Sequence, residues 1–238
     1  SGVWRALVAL IAMAASSHAF LVQTVEGPDG PVQQLWNSGR NIPFVIHQAG
    51  SDDLPPDAVH RVLRESFRIW EEVPTAAISF VDRGLTSTLT PSETDGNNLV
   101  IFDESNSWLQ APRNSGIIAA AFVETKAHTG EITDVDIVFN GRDFRFGTTA
   151  DAGGTVDLGD VAVHEIGHLL GLDHSPLEDR PGSLPTMVPF YSPVRGAGAT
   201  LEADDRAGAS YLYPNTSLFR FGSIAGAVTD IDGAPQFG

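Results

Sequence analysis

The 238-residue chain has no cysteine. That absence excludes a disulfide framework, a thiol nucleophile and any thiolate-held metal or cluster. Basic residues are scarce: 14 Lys and Arg, of which only Lys126 is lysine, stand against 30 Asp and Glu, for a formal net charge of −16. An anionic surface repels phosphate backbones and anionic lipid, which argues against nucleic acid as a partner. No apolar run is long enough to cross a bilayer. The stretch Ala6–Ala15 is half of the roughly 20 residues that a spanning helix needs. The 24 Gly and 15 Pro follow no period, so collagen-like and low-complexity readings fail. What is present is core material, 42% hydrophobic residues with 13 Phe and 4 Trp, enough for a sizeable globular domain.

Arg5, the apolar stretch after it, and the small residues Ser17 and Ala19 before Phe20 have the three-part pattern of a secretory leader, read here as residues 1–19. The chain is therefore expected to be exported, with no membrane span in the mature form. Residues 20–42 are rich in Gly, Pro and Asn and are expected to be irregular, with Trp36 as the one large anchor. A strand is expected at 43–47 and a helix over 57–72, where Val59, Val62, Leu63, Phe67 and Trp70 fall at helical spacing. Further strands are expected at 78–81, 99–102, 116–124 and 131–139, with loops at 84–98 and 140–159. Helices follow over 160–170 and 201–212. This order suggests an α+β domain of 43–215. The tail 222–238 contains Gly226-Ala227-Val228-Thr229-Asp230-Ile231-Asp232-Gly233-Ala234-Pro235, similar to the opening strand of a carboxypeptidase-regulatory-like β-sandwich, which suggests a truncated second domain.

The chemistry-bearing segment is His164-Glu165-Ile166-Gly167-His168-Leu169-Leu170-Gly171-Leu172-Asp173-His174. Residues four apart share a helix face, so His164 and His168 can direct their imidazoles at one metal ion. Gly171 can take the left-handed conformation that stops the helix and returns the chain, bringing His174 to the same ion. Three neutral imidazoles leave a fourth tetrahedral position open for water, the catalytic arrangement, and all-nitrogen ligation suits zinc. Glu165 stands beside the metal without binding it. Such a site lowers the pKa of water and polarises a carbonyl, with Glu165 as general base.

His-Glu-x-x-His-x-x-Gly-x-x-His followed by a methionine resembles the metzincin metalloproteases. Ser175 after the third histidine and Met187-Val188-Pro189-Phe190-Tyr191 narrow the resemblance to the matrixins, of a bacterial type. It implies a zincin-like catalytic domain, a twisted mixed sheet with an active-site helix and a C-terminal helix carrying Asp204 and Asp205. It implies one catalytic zinc on His164, His168 and His174, with Met187 as an apolar floor. It also implies an edge strand in which Ala119 and Ala121 bind an extended substrate, and a specificity pocket bordered by Pro189 and Tyr191; Tyr191 could line that pocket or simply pack. The activity implied is secreted endopeptidase action on protein or peptide substrates. The positions of a second, structural zinc in the animal enzymes are matched by Ala120 and Thr133, so none of that kind is expected. Calcium is a candidate through Asp134, Asp136, Asp151 and Asp157, against the plainer reading of solvated surface carboxylates, and no ligands are assigned. Two alternatives stay open: hydrolysis of a non-peptide amide, and an adhesion protein that keeps the fold as a scaffold. His47, His60 and His128 lack ligand spacing and are read as ordinary. The oligomeric state is not legible.

Overall fold

The computed structural model describes residues 20–92, 95–148, 154–176, 184–191 and 199–218. The leader read at 1–19, the tail read at 222–238 and Asp151 lie outside these residues. The described elements are β1 (Thr24–Gly27), β2 (Gly30–Gln33), β3 (Ile42–His47), α1 (Pro56–Glu71), β4 (Phe80–Thr86), β5 (Leu99–Phe102), β6 (Ala119–Thr125), β7 (Ile132–Phe139), β8 (Phe146–Gly147), β9 (Val156–Asp157), α2 (Leu158–Leu169) and α3 (Ala203–Leu212).

Five strands form one mixed sheet in the order β4-β3-β5-β7-β6. The first four are parallel and β6 runs antiparallel to β7, leaving β6 at the edge. The α+β class expected from the sequence is the one observed. Helix α1 begins with a proline in its first turn and presents Val59, Leu63, Phe67 and Trp70 to the core, because these positions recur at the helical period. They meet Phe44, Ile46, Val100, Val135, Ile137 and Phe139 of the sheet and Leu158, Ala162, Ile166 and Leu169 of α2 in one continuous cluster. Rings interlock within it: Phe44 stacks on Phe67 with centroids 3.9 Å apart, and Phe102 on Phe139 at 4.8 Å. Helices α1 and α2 are thus held through the same apolar layer, whose burial is the main favourable term in folding.

Five expectations need correction. Residues 24–33 are not irregular but form a hairpin, β1 paired with β2 around Pro28 and Asp29, with Gly30 at φ +123°; the Pro-Asp-Gly run is a turn signal in its own right. Strand β4 continues to Thr86 into the expected loop, and it carries mostly exposed residues because it is the far edge of the sheet. The short pair β8–β9 lies within the expected loop 140–159. Asp134, Asp136 and Asp157 are not solvated surface carboxylates: they are 1%, 4% and 1% exposed. Asp136 accepts from Ser92 N and Leu99 N, each at 2.7 Å, and ties the preceding loop to β7. Burial and the neighbouring Asp136 and Asp95 raise the Asp134 pKa to about 6. Asp157 is the N-cap of α2, accepting from Gly159 N at 2.9 Å and Asp160 N at 3.3 Å, so the helix begins two residues earlier than expected.

The segment 20–23 is tied to the far end of α2. Val22 bridges Leu172, Gln23 N donates to Gly171 O at 2.8 Å, and Asp173 N donates to Leu21 O at 3.0 Å. Gly171 sits at φ +96°, and a β-carbon there would lie 2.2 Å from Gln34 O. Gly171→Ala therefore meets both the left-handed penalty and a backbone clash, and should cost more than about 2 kcal/mol. Gly84, at φ +89° with nothing within 4 Å of a built β-carbon, isolates the first term, so Gly84→Ala should cost about 1 kcal/mol. Urea unfolding of both variants measures the difference; equal losses would remove the clash from the account.

Candidate metal centre

Helix α2 ends in a pattern that decides where the third histidine goes. Gly171 N donates to His168 O at 2.9 Å and Leu172 N to Gly167 O at 3.0 Å, the paired bonds of a Schellman motif with the left-handed residue at Gly171. The remaining carbonyls of the last turn are satisfied from distant parts of the chain. Trp36 Nε1 donates to Leu169 O at 2.9 Å and Tyr213 Oη to Leu170 O at 2.7 Å. Earlier in the helix Trp70 Nε1 donates to Val163 O at 2.9 Å. Gly167 has no side chain because the space is taken: a β-carbon there would be 2.2 Å from Met187 Sδ and 3.0 Å from Trp70. Met187, 3% exposed, lies directly beneath the helix segment that carries His164 and His168. Its loop is held by Asp205, whose carboxylate accepts from Thr186 N (2.9 Å), Met187 N (3.2 Å) and Glu202 N (2.7 Å). Asp204 in turn accepts from Ser175 Oγ at 2.9 Å, fixing the chain just after His174.

The three expected ligands converge. His164 Nε2 and His168 Nε2 are 3.1 Å apart, and His174 Nε2 lies 3.3 Å and 3.2 Å from them. His164 Nδ1 is 2.7 Å from Thr186 O and His168 Nδ1 is 2.8 Å from Leu172 O. A carbonyl oxygen can only accept, so both Nδ1 atoms carry the proton and both Nε2 atoms turn lone pairs to the centre. No hydrogen bond can form between those two atoms, and their closeness calls for a cation. Tetrahedral zinc with Zn–N bonds of about 2.0–2.1 Å requires N···N separations of about 3.3 Å, and the observed triangle fits. Burial, together with the like-charged neighbouring histidines, lowers the pKa of His164 to about 3, and burial lowers that of His168 to about 4. Both are neutral ligands over the physiological range. This is the group of three or more His, Cys, Asp or Glu side chains among the described residues that could hold a metal.

Glu165, 5% exposed, points from the same helix turn toward β6. The backbone N–H of Ala121 faces its carboxyl, and desolvation outweighs that contact and raises the pKa to about 8 in the metal-free chain. Its Oε2 has no protein partner, so one oxygen is available to a group in the cleft. The cleft has a volume of about 880 Å³, with the histidines and Glu165 on its floor, β6 and the residues before it on one wall, and the segment around Met187 on the other. Ala119, Ala121, Pro189 and Tyr191 all line it. Tyr191 both lines and packs, its hydroxyl accepting from Asp157 N at 2.8 Å.

The residues not anticipated from sequence are Gln23, Trp36, Trp70 and Tyr213 as supports of α2. Gln23 also enters the cleft, with its side-chain amide beside His168. No local pattern marks these roles, since the carbonyls they meet lie 43 to 148 residues away. His47 and His60 are buried and linked to each other, with His60 Nε2 3.3 Å from His47 O, remote from the triad.

Comparison with known proteins gives a consistent picture. The family model described as matrixin matches residues 35–214. Stromelysin-3 of Xenopus laevis is 30% identical over 163 residues, covering 65% of this chain and 28% of that protein. Metalloendoproteinase 4-MMP of Arabidopsis thaliana is 29% identical over 215 residues, 84% of this chain and 54% of that protein. Matrix metalloproteinase-25 of Mus musculus is 49% identical over 74 residues, 30% of this chain and 11% of that protein. The chain thus matches about half or less of the length of these curated relatives.

The buried carboxyl yields a pH prediction for the chelator-treated protein. Between the ordinary pKa of 4.5 and the folded value of about 8, the folded state keeps a proton that the unfolded chain has lost, so stability falls as pH rises through that window. The histidines act oppositely, losing stability as pH falls below 6.5 toward their folded values. Glu165→Gln removes only the first effect. Its stability advantage over the parent should grow by a few kcal/mol, about 2–4, between pH 5 and pH 9. Urea titrations at both pH values measure it, and a gap that does not widen would place the carboxyl in a more polar setting than the structure gives.

Proposed function

The chain belongs to the matrixin family, and from that premise we propose that it is a secreted, zinc-dependent endopeptidase of the bacterial type, with Glu165 as general base. The observation that carries this reading is the meeting of three imidazole Nε2 atoms with a buried, half-satisfied carboxyl on the floor of one cleft. His164, His168 and His174 would hold the ion. Zinc bound there supplies Lewis acidity toward a substrate carbonyl and brings the pKa of water toward neutrality.

The remaining steps belong to the chain's own residues. Glu165 can take a proton from the attacking water on Oε2 and pass it to the nitrogen of the departing amine, because its desolvated carboxyl binds a proton far more readily than an exposed one. The Ala121 N–H that faces the same carboxyl steadies its ionised form and fixes its direction. Strand β6 is paired with β7 on one side only, so an extended peptide can add to its free side through main-chain hydrogen bonds, with Ala119 and Ala121 along the contact. The small side chains of this wall leave room for the substrate backbone. Pro189 and Tyr191 border the pocket for the residue after the cut bond, and the Tyr191 hydroxyl, held at the N-cap of α2, sets the pocket's edge. Met187 stiffens the floor beneath the ligands. The leader pattern at residues 1–19 supports export, and the substrates proposed are proteins or peptides.

Hydrolysis of a quenched peptide library by the chain from Phe20 onward tests the reading. Cleavage should vanish with chelator, return with added zinc, and fall by about 10²–10⁴-fold in Glu165→Ala. A folded, zinc-loaded protein that cleaves no peptide would overturn it in favour of another amide substrate or a scaffold role.

A further inference from the structure

Residues 20–23 run along the reversal that ends α2, and one of them reaches back to an expected metal ligand. Gln23 N donates to Gly171 O and Gln23 O accepts from Gln34 N, each at 2.8 Å. Beside it Val22 bridges Leu172 and packs against the core. The Gln23 backbone is thus clamped on both sides, between the chain that leads to His174 and the chain that leaves β2. Its side chain turns into the cleft, where the amide group comes within 3.3 Å of His168 Nδ1.

The tautomer of His168 decides what this amide can do. Nδ1 lies 2.8 Å from Leu172 O, which only accepts, so Nδ1 carries the proton. An amide NH2 cannot donate to a nitrogen that already bears a proton. The two amide atoms exchange places by a half-turn of the last side-chain torsion, and the hydrogen-bond network decides between them. The atom that meets Nδ1–H is therefore the amide oxygen. That half-turn also gives a donor to Oε1, which otherwise lies buried without a partner among the described residues. The Nδ1 proton is then shared between Leu172 O and Gln23 Oε1. An acceptor behind a metal-binding imidazole fixes the ring's direction and makes the opposite nitrogen a stronger ligand. His164 has a backbone carbonyl in that role, Thr186 O. His168 has a carbonyl and a side chain, and only the side chain can be altered without disturbing the backbone.

We propose that Gln23 is a positioning residue of the metal centre, whose amide oxygen holds the His168 ring through Nδ1–H and strengthens Nε2 as a zinc ligand. It touches neither substrate nor reacting atoms and acts wholly through His168. Because its backbone is bonded to Gly171, the seating of residues 20–23 against the end of α2 sets how firmly the site holds its ion. The inference rests on the zinc-site reading above and adds a residue to it.

Zinc affinity, measured by competition with a chromophoric chelator, tests this without any cleavage assay. Gln23→Met keeps the length of the side chain and removes the acceptor, whereas Gln23→Glu keeps an acceptor oxygen in the same place. Gln23→Met should weaken zinc binding about tenfold or more, and Gln23→Glu should bind at least as tightly as the parent. The visible absorption bands of the cobalt-loaded protein should change in Gln23→Met and be retained in Gln23→Glu. Urea midpoints of the chelator-treated parent and Gln23→Met should coincide. If Gln23→Met does not fold, Gln23→Asn, one methylene too short to reach Nδ1, takes its place with the same expected loss. Unchanged zinc affinity in Gln23→Met overturns the proposal. Equal losses in Gln23→Met and Gln23→Glu mark a packing role alone and overturn it too. A parent that binds zinc, shows the difference between the variants and cleaves no peptide keeps the role of Gln23 and removes the peptidase. Peptide cleavage with no difference between the variants does the reverse, and a parent that binds no zinc removes both.

Discussion

The termination of helix α2 is the constraint on which the metal centre depends. A helix can place two histidines on one face but cannot supply a third from the same turn, so the chain must stop, reverse and return within a few residues. Gly171 in the left-handed conformation makes the reversal, and the two bonds of the Schellman motif close it. The carbonyls left over at a helix end would otherwise be buried without partners. Trp36 and Tyr213 supply donors to Leu169 O and Leu170 O from opposite ends of the chain. The position of His174 is therefore a property of the whole domain.

The same economy governs the electrostatics. Two of the imidazoles are made into acceptors toward the centre by carbonyls on their outer nitrogens, Thr186 O and Leu172 O, each supplied by a loop that tertiary contacts hold in place. Thr186 belongs to the segment clamped by Asp205. Burial keeps these histidines neutral and Glu165 easily protonated. Desolvation thus acts in opposite directions on base and acid types, and both shifts favour a metal with a proton acceptor at its side.

Much of the framework was legible in local pattern. The apolar period of α1, the short apolar run of β5 and the alternation around β7 each mark an element whose side chains make its contacts. Elements with weak local signals were missed: β4 beyond residue 81 is an exposed edge, β8 and β9 are two residues each, and the β1–β2 hairpin has one apolar alternation on each strand. Acidic residues misled in the opposite sense. Asp134, Asp136 and Asp157 look like solvated loop carboxylates by composition, yet each is buried as an anchor or cap for backbone N–H groups. Composition cannot report burial, because a carboxylate is tolerated inside wherever donors meet it.

The sequence by itself determined the ligand set, since His164, His168, Gly171 and His174 are spaced by the geometry of one helix and one reversal, which need no distant partner to be read. It also determined the pairing of that set with an adjacent carboxyl at Glu165. Only the tertiary structure decided which nitrogens face the centre and how deeply Glu165 is desolvated. Those properties arise where β6, the Met187 segment and the N-terminal residues come together around α2, and contacts made 22 to 133 residues apart leave no trace in local periodicity.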